Sequence, residues 1–508
     1  MIEKIKSNRL WHYTFFTAII LGLCTHLPIM LSDIPNHDGL ASIYFDQNMT
    51  ISGRWFLSIA CGFSSYYALP WLIGVFSIII LAVTAVVLVE VLEIEKISGG
   101  VIVAGLLVTF PVLTSTFAYV FTMDGYMLAV LLAVLSVYLV EKKKWGFVLG
   151  GIALALSMGI YQAYLPIAML LCLYKVMLLL ISDKNAKDKV KSIFNYAYMG
   201  FVGVGLYYVI MKLSLWFDGS KLGEYQGGNQ GASAMQGGVL EIYKDFFEFA
   251  VKGKVLVNNL YSIAALMIVV ILCAGVFIHL CISRKWYRKG WIYVAVISFA
   301  IIIPVVANVI LLILPNVTYH TLMRYQYVIL LMMAVAFIQK YTNNKITSVI
   351  LCAAAVVLIF NYVITDNIAY SNLEKKYEKT YAYCLRLADR MEQTEGYYQG
   401  IPIAMIGVIS DEQYPVTDVT KDVTSKLLGI TGDYLLYTSE NYKAFFENYM
   451  GVTINLVPQE DMLDIYNSKE YWEMNSFPAK DSMQVVDGIL YIKTENKEKD
   501  PYTDKKEE

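Results

Sequence analysis

The sequence predicts an α-helical polytopic membrane protein of about eleven transmembrane helices with a small C-terminal extracytoplasmic α/β domain. Three observations lead there. Of 508 residues, 57% are hydrophobic and only 16% charged, whereas soluble domains average about 45–50% apolar and about 25% charged. The mean hydropathy of +0.53 points the same way. The charge is also divided: residues 366–508 carry 15 Lys and Arg against 26 Asp and Glu, net −11, which leaves net +9 for residues 1–365. This composition excludes a nucleic-acid-binding, fibrous or disordered protein.

The apolar residues fall into eleven runs, each near the roughly 20 residues needed to cross a bilayer. They lie at about 11–31, 70–91, 100–118, 124–140, 146–159, 162–181, 196–216, 259–282, 291–314, 324–339 and 346–365, the fifth being short. The first run is too long for a cleavable signal peptide and has no small-residue cleavage site, so it is expected to be an uncleaved anchor. Lys and Arg recur in every second connection. Lys4, Lys6 and Arg9 come first, then Lys142–Lys144, then Lys184, Lys187, Lys189 and Lys191. Arg284, Lys285, Arg288 and Lys289 follow, and finally Lys340 and Lys345. Basic short loops stay in the cytoplasm, so the N-terminus is expected inside and the C-terminal region outside. The loop holding Glu90, Glu93, Glu95 and Lys96 breaks the pattern.

With that orientation the long connections, 32–69, 217–258 and 366–508, are all external. Within 217–258 a glycine-rich stretch from Gly223 to Gly238 precedes an amphipathic helix near 239–252, readable as a mobile lid or as a plain surface loop. The run Arg54-Trp55-Phe56-Leu57-Ser58-Ile59 has the pattern of a helix lying in the membrane interface. The division expected is a transmembrane domain over 1–365, an α/β domain over 366–495 and a charged tail over 496–508 without enough apolar residues to order it. In the α/β domain, a charged helix at 368–395, a buried strand at 401–408, helices near 439–450 and 459–472, and strands at 453–457 and 488–493 are expected. Most of the seven cysteines lie in apolar runs, and Cys384 stands alone in the outer domain, so this is no disulfide scaffold. No zinc-hydrolase, nucleotide-binding-loop or serine-hydrolase motif is present.

Ionisable groups at a membrane boundary cost free energy unless they face water or one another, which makes them candidates for function. Asp33, His37 and Asp38 follow the first span directly; Arg54 begins the interfacial run. Asp124 stands at the outward end of the fourth span, and His320 and Arg324 stand just before the tenth. Alternatives remain at this level. Asp33 and Asp38 could be ordinary loop acids, Asp124 an N-cap of its helix, and Arg324 a lipid-headgroup anchor. Tyr161 and Gln162 could be an interface aromatic and a capping amide.

Asp38, the triplet Gly53-Arg54-Trp55, Asp124 at the head of its span, Tyr161-Gln162-Ala163, and the terminal Ser476-Phe477-Pro478-Ala479-Lys480-Asp481-Ser482 with Asp487-Gly488-Ile489 together resemble the bacterial O-antigen glucosyltransferase family. That resemblance spans nearly the whole chain. It implies a GT-C-like fold and transfer of a hexose, expected to be glucose, from a polyprenyl-phosphate donor to a cell-surface glycan acceptor, with inversion. It also implies a multi-pass protein of the bacterial plasma membrane. A polyprenyl-phosphate glucosyl synthase and a flippase are the expected partners in the same pathway, besides membrane lipid; no nucleic acid is expected.

Inverting transfer requires a carboxylate to take the acceptor's proton and cations to stabilise the departing phosphate. Asp38 is the expected base, and Arg54 and Arg324 the expected phosphate clamps, because guanidinium forks match phosphate oxygens. Asp33, His37, Asp124, Tyr161, Gln162 and His320 are the expected substrate-binding residues. No cofactor is expected, although Asp33, His37 and Asp38 are spaced so that they could ligate a divalent ion. A transporter or lipid-linked glycan flippase would place charges or broken helices at mid-membrane. A glycan polymerase or ligase would place several arginines in one large outer loop.

Overall fold

The computed structural model describes residues 8–182, 185–223, 238–252, 259–314, 319–407 and 435–495. Much of the glycine-rich stretch, the expected tail and several basic loop residues lie outside them. Among the described residues nine helices are long and apolar enough to cross a membrane, or ten if one bent pair counts as a single span. All eleven predicted runs are helical, but two are not simple spans. The third is α4 (Ile97–Thr109) and α5 (Val112–Ala118), bent by 51°. The break falls at Pro111, the N-cap of α5, which has no N–H to continue the α4 ladder. The fifth is α7 (Gly146–Ile160), 15 residues long.

The remaining bundle helices are α1 (Arg9–Met30), α3 (Pro70–Val91), α6 (Val120–Lys142), α8 (Leu165–Ile181), α9 (Ala186–Phe217), α11 (Leu260–Ser283), α12 (Gly290–Ala307) and α14 (Tyr327–Tyr341), with α13 (Ile310–Ile313) a single turn between. The interior of the bundle is one continuous apolar core drawn chiefly from α3 to α8 and α14. Helices α9, α11 and α12 give it only a few residues, such as Met199, Val269 and Ile292, and turn large apolar side chains outward, among them Phe201, Ile271 and Val294. A bilayer accepts such a surface because every backbone group is satisfied within its own helix. The interfacial run forms only the short α2 (Leu57–Cys61); Arg54 precedes this helix instead of beginning it. Amphipathic α10 (Gly238–Phe247), extended by a π-turn over Glu248–Lys252, occupies the predicted place.

Helix α15 (Lys345–Glu392) is 48 residues long, about 72 Å at 1.5 Å per residue. It runs without a break through the point at which the composition changes from apolar to acidic. Its far half packs on a four-stranded sheet of order β2-β1-β4-β3, made of β1 (Pro402–Ile406), β2 (Asn455–Leu456), β3 (Met483–Val486) and β4 (Ile489–Lys493). β1 is parallel to β2 and β4, while β3 closes an antiparallel hairpin with β4 that the sequence pattern did not reveal. The period-two alternation of strands is visible in the packing. Ile403, Met405, Leu490 and Ile492 face Tyr383, Leu387 and α16 (Ser439–Phe445). Ala404 and Tyr491 face α17 (Gln459–Tyr466) and α18 (Lys469–Glu473).

The exceptional acidic loop after α3 has a physical explanation at the bundle end opposite this sheet. Glu93 accepts from Lys175 at 2.5 Å and also from Lys340; Lys175, which is 4% exposed, meets Glu141 at 2.7 Å. Glu90 pairs with Lys142 at 3.2 Å and accepts from the Trp11 indole at 3.0 Å. Glu90 and Glu93 thus neutralise lysines from the ends of three other helices, α6, α8 and α14. Burial alone would raise Glu93, but the Lys175 and Lys340 ammoniums overcome it and hold the carboxyl at about 2 against the usual 4.5. Such a depressed value contributes stability that is present at neutral pH and is lost as pH falls from about 4.5 towards 2. Glu93→Gln should therefore cost about 1–2 kcal/mol near neutrality, allowing for its partial exposure. In thermal unfolding of the purified protein the gap to wild type should shrink on acidification; a gap independent of pH would refute the pairing.

Candidate functional site at the junction of bundle and outer domain

The chain leaves α1 in a loop pinned from both sides. Asn36, almost wholly buried, accepts from the Gly39 amide at 2.8 Å through Oδ1, which tightens the turn Gly39–Ala41. Leu40, next in that turn, is fully buried in the core of the α/β domain beside Phe445 and Phe446, and its carbonyl accepts from Asn448 Nδ2 at 2.8 Å. Asp38 stands between these anchors with its side chain 56% exposed, and its Oδ1 is 3.5 Å from His37 Nε2. The His37 ring packs edge-on against Tyr119 at the head of α6 and against Tyr437 of the outer domain, with centroids 6.4 and 5.1 Å away. Asp33 turns elsewhere, within electrostatic reach of Tyr377 and Tyr449, and burial pushes its carboxyl above the ordinary range.

Two motifs that lie more than a hundred positions apart in the sequence meet next to this loop. Gly53 has φ +74°, and a Cβ there would come within 2.6 Å of Tyr207 Oη and 2.8 Å of Gln162 Nε2. The same Gln162 Nε2 donates to the Ser52 carbonyl and to Tyr207 Oη, both at 2.9 Å. Arg54, turned inward by that bend, lies 4.8 Å from the Tyr161 ring centroid and donates from Nη1 to Tyr126 Oη at 3.2 Å. Tyr126 and Tyr161 are stacked at 4.4 Å, and Tyr164 meets both edge-on. Trp55 fills the space that a side chain at Gly159 would need, and the Phe56 amide donates to the Gly159 carbonyl at 2.8 Å. Tyr126, which meets Arg54, and Tyr119, on which the neighbour of Asp38 packs, both stand at the head of α6, so one helix end serves the candidate base and one candidate clamp. Gln162 is thus a brace for the Gly53 turn and Tyr161 a floor for Arg54.

Asp124 is not a helix cap: Tyr119 holds that position and Asp124 lies in the second turn of α6. It is buried, with Oδ1 accepting from the Gly125 amide at 2.8 Å and with Cys61 as a further neighbour. Its Oδ2 meets no hydrogen-bond donor of the geometric kind among the described residues. Arg324 departs from expectation. Both arms of its guanidinium are taken by Asp245 of α10, at 2.6 and 2.7 Å, and Asn308 adds a donor to the same carboxylate at 3.0 Å. The Tyr319 ring lies 4.0 Å beneath it. The fork expected to face phosphate is closed by a carboxylate from the amphipathic helix. His320 caps the 3₁₀ turn Thr321–Arg324 that carries it. Tyr164 and Tyr325, 6.4 Å apart, link this group to the Arg54 cluster.

Sequence reasoning missed Asp245, Tyr126 and Tyr207, whose roles come from contacts across the fold. It also missed Asp366, fully buried in α15 with neither carboxylate oxygen hydrogen-bonded among the described residues. The signal for Asp366 was an acid at the edge of an apolar run, which hydropathy assigns to the outside. Among the described residues no three His, Cys, Asp or Glu side chains converge as a metal-ligating group.

The Gly53 turn gives a direct stability test. Gly53→Ala forces both a left-handed backbone and a clash, and should cost about 1–3 kcal/mol. Gly62→Ala, at φ −69° with its nearest neighbour at 3.4 Å, is the control expected to melt near wild type. Equal melting temperatures for the two variants would show that the turn does not constrain the site.

No curated protein and no solved structure matches the chain. The sequence profile of one family, described as glucosyl transferase GtrII, matches residues 27–330, more than half of the chain, from the end of α1 to the start of α14. The match covers Asp38, the Gly53-Arg54-Trp55 turn, Asp124, Tyr161-Gln162 and Arg324 together. The chain is a membrane-helical glycosyltransferase that belongs to this glucosyltransferase family.

Proposed function

We propose that the protein transfers a glucosyl unit from a polyprenyl-phosphate carrier to a cell-surface glycan, with inversion, on the outer face of a bacterial plasma membrane. The observation that carries the reading is the placing of an exposed carboxylate, Asp38, next to His37 on Tyr119, and of a ring-supported guanidinium, Arg54, on Tyr126, at the head of the same helix α6, where the bundle meets the α/β domain. A polyprenyl-phosphate sugar has a tail that needs lipid and a head that needs a polar site at the interface, and this junction offers both. In the proposed sense of insertion the N-terminus and the Glu93–Lys175 end face the cytoplasm, and the sheet domain lies outside.

In the proposed reaction an acceptor hydroxyl attacks the anomeric carbon from the face opposite the phosphate. Asp38 removes the hydroxyl proton as the new C–O bond forms. The bond from the anomeric carbon to the phosphate oxygen breaks, and polyprenyl phosphate departs with the electron pair. Arg54 meets the charge that develops on the leaving oxygen. Asp124, Tyr161 and Gln162 would shape the sugar pocket, with His37 holding Asp38 towards it and Asp33 and His320 at the margins. Arg324 would reach phosphate only by exchanging Asp245 for it. A synthase that makes the polyprenyl-phosphate sugar and a flippase that delivers it would supply the donor.

Purified protein given synthetic polyprenyl-phosphate glucose and envelope glycan should form a glycoside of opposite anomeric configuration. Asp38→Asn should lower kcat at least about a hundredfold while donor binding stays near wild type, and wild-type turnover in that variant would remove Asp38 from the role. Arg54→Lys keeps the charge but loses the fork and the stacked plane; transfer should fall roughly tenfold or more. Turnover with pyrophosphate-linked donors only would replace this reading by that of a polymerase or ligase.

A further inference from the structure

The α/β domain holds a cleft that the chemistry above does not use. It opens at the carboxyl ends of the adjacent parallel strands β1 and β4, where Met405–Gly407 and Lys493–Glu495 end, and is walled by α17 and α18. Ligands of open α/β sheets bind at that end of the strands. Tyr437, Tyr466, Tyr471 and Trp472 converge on it, with Gln459 and Glu495 as polar rim. Trp472 is 40% exposed, a large ring left open to solvent inside a concave wall, and Tyr466 supports it edge-on at 5.3 Å. Beneath lies Lys493, 4% exposed, whose ammonium donates to the Met474 carbonyl at 2.8 Å and the Tyr471 carbonyl at 3.4 Å and sits 5.3 Å from the Trp472 ring.

This set of groups fits a sugar. A pyranose presents an apolar C–H face to an aromatic plane and a rim of hydroxyls to amides, carboxylates and an ammonium. Pockets with apolar walls and few convergent polar groups are the usual design of a small-ligand site. The cleft also communicates with the junction: Tyr437, one of its walls, packs at 5.1 Å on His37, the neighbour of Asp38. We propose that this cleft binds a sugar residue of the acceptor glycan, away from the one that is glucosylated, and so threads the polymer past Asp38. The proposal rests on the functional reading given above for the identity of the polymer, although binding itself needs no donor.

The test uses the full-length protein in lipid nanodiscs and polysaccharide purified from the source organism's envelope, cut into short and long fragments. Binding is followed by saturation-transfer NMR and calorimetry without donor. Long fragments should bind wild type about fivefold more tightly than Trp472→Ala, the scale of one lost aromatic contact, and Trp472→Phe should recover most of the loss. With donor present, Trp472→Ala should raise KM for long fragments and leave kcat unchanged. Asp38→Asn should bind fragments as wild type does. Equal affinities of wild type and Trp472→Ala, or a loss that Phe does not recover, would overturn the cleft assignment. Intact, Trp472-dependent binding without any transfer from a monophosphate donor would instead overturn the functional reading and leave the cleft standing.

Discussion

Arg54 is a permanent charge at the boundary of an apolar bundle, and the way in which it is held organises the rest of the site. A guanidinium there must be compensated. Part of its support is the Tyr161 ring beneath the plane and the Tyr126 hydroxyl at one arm. Such contacts are worth about 0.5–2 kcal/mol, enough to orient the side chain. Arg324 is held in another way. Its arms are matched by Asp245 in a bidentate pair, the geometry in which a guanidinium is most fully satisfied. Two arginines that look equivalent in sequence are thus held by different kinds of contact.

The two ends of the molecule are built on different physics. At one, lysines from several helix ends are cancelled by Glu90, Glu93 and Glu141, which fixes the helices against one another. At the other, polar groups are left exposed, stacked or incompletely hydrogen-bonded among the described residues, as in Asp38 and Asp124. The long helix α15 carries the sheet domain to that second end, and Leu40 fastens the first loop into its core. A further consequence is that the α/β domain is not an appendage: its core is incomplete without a residue from the loop that bears Asp38.

Much of this was legible in the sequence because hydropathy and strand periodicity are local. All eleven apolar runs are helices, and the strands at 402–406, 455–456 and 489–493 fall where the pattern puts them. What was not legible depends on contacts between distant positions. The bend at Pro111 reads as one span because the residues on both sides are apolar. Helix α15 reads as two elements because its composition changes while its backbone does not. The β3 strand, four residues long, is too short to show alternation. The partnership of Arg324 with Asp245 could not be seen because they are 79 positions apart. Gly53-Arg54-Trp55 and Tyr161-Gln162 are each visible in the sequence, yet only the fold shows that they meet.

The most direct measurement is a cryo-EM reconstruction with a non-hydrolysable polyprenyl-phosphonate glucose bound. Phosphonate oxygens within hydrogen-bonding distance of the Arg54 guanidinium, with the glucose lying between it and Asp38, is the arrangement this account predicts. A headgroup seated at the Glu93–Lys175 end, or with its anomeric carbon out of reach of Asp38, would contradict it.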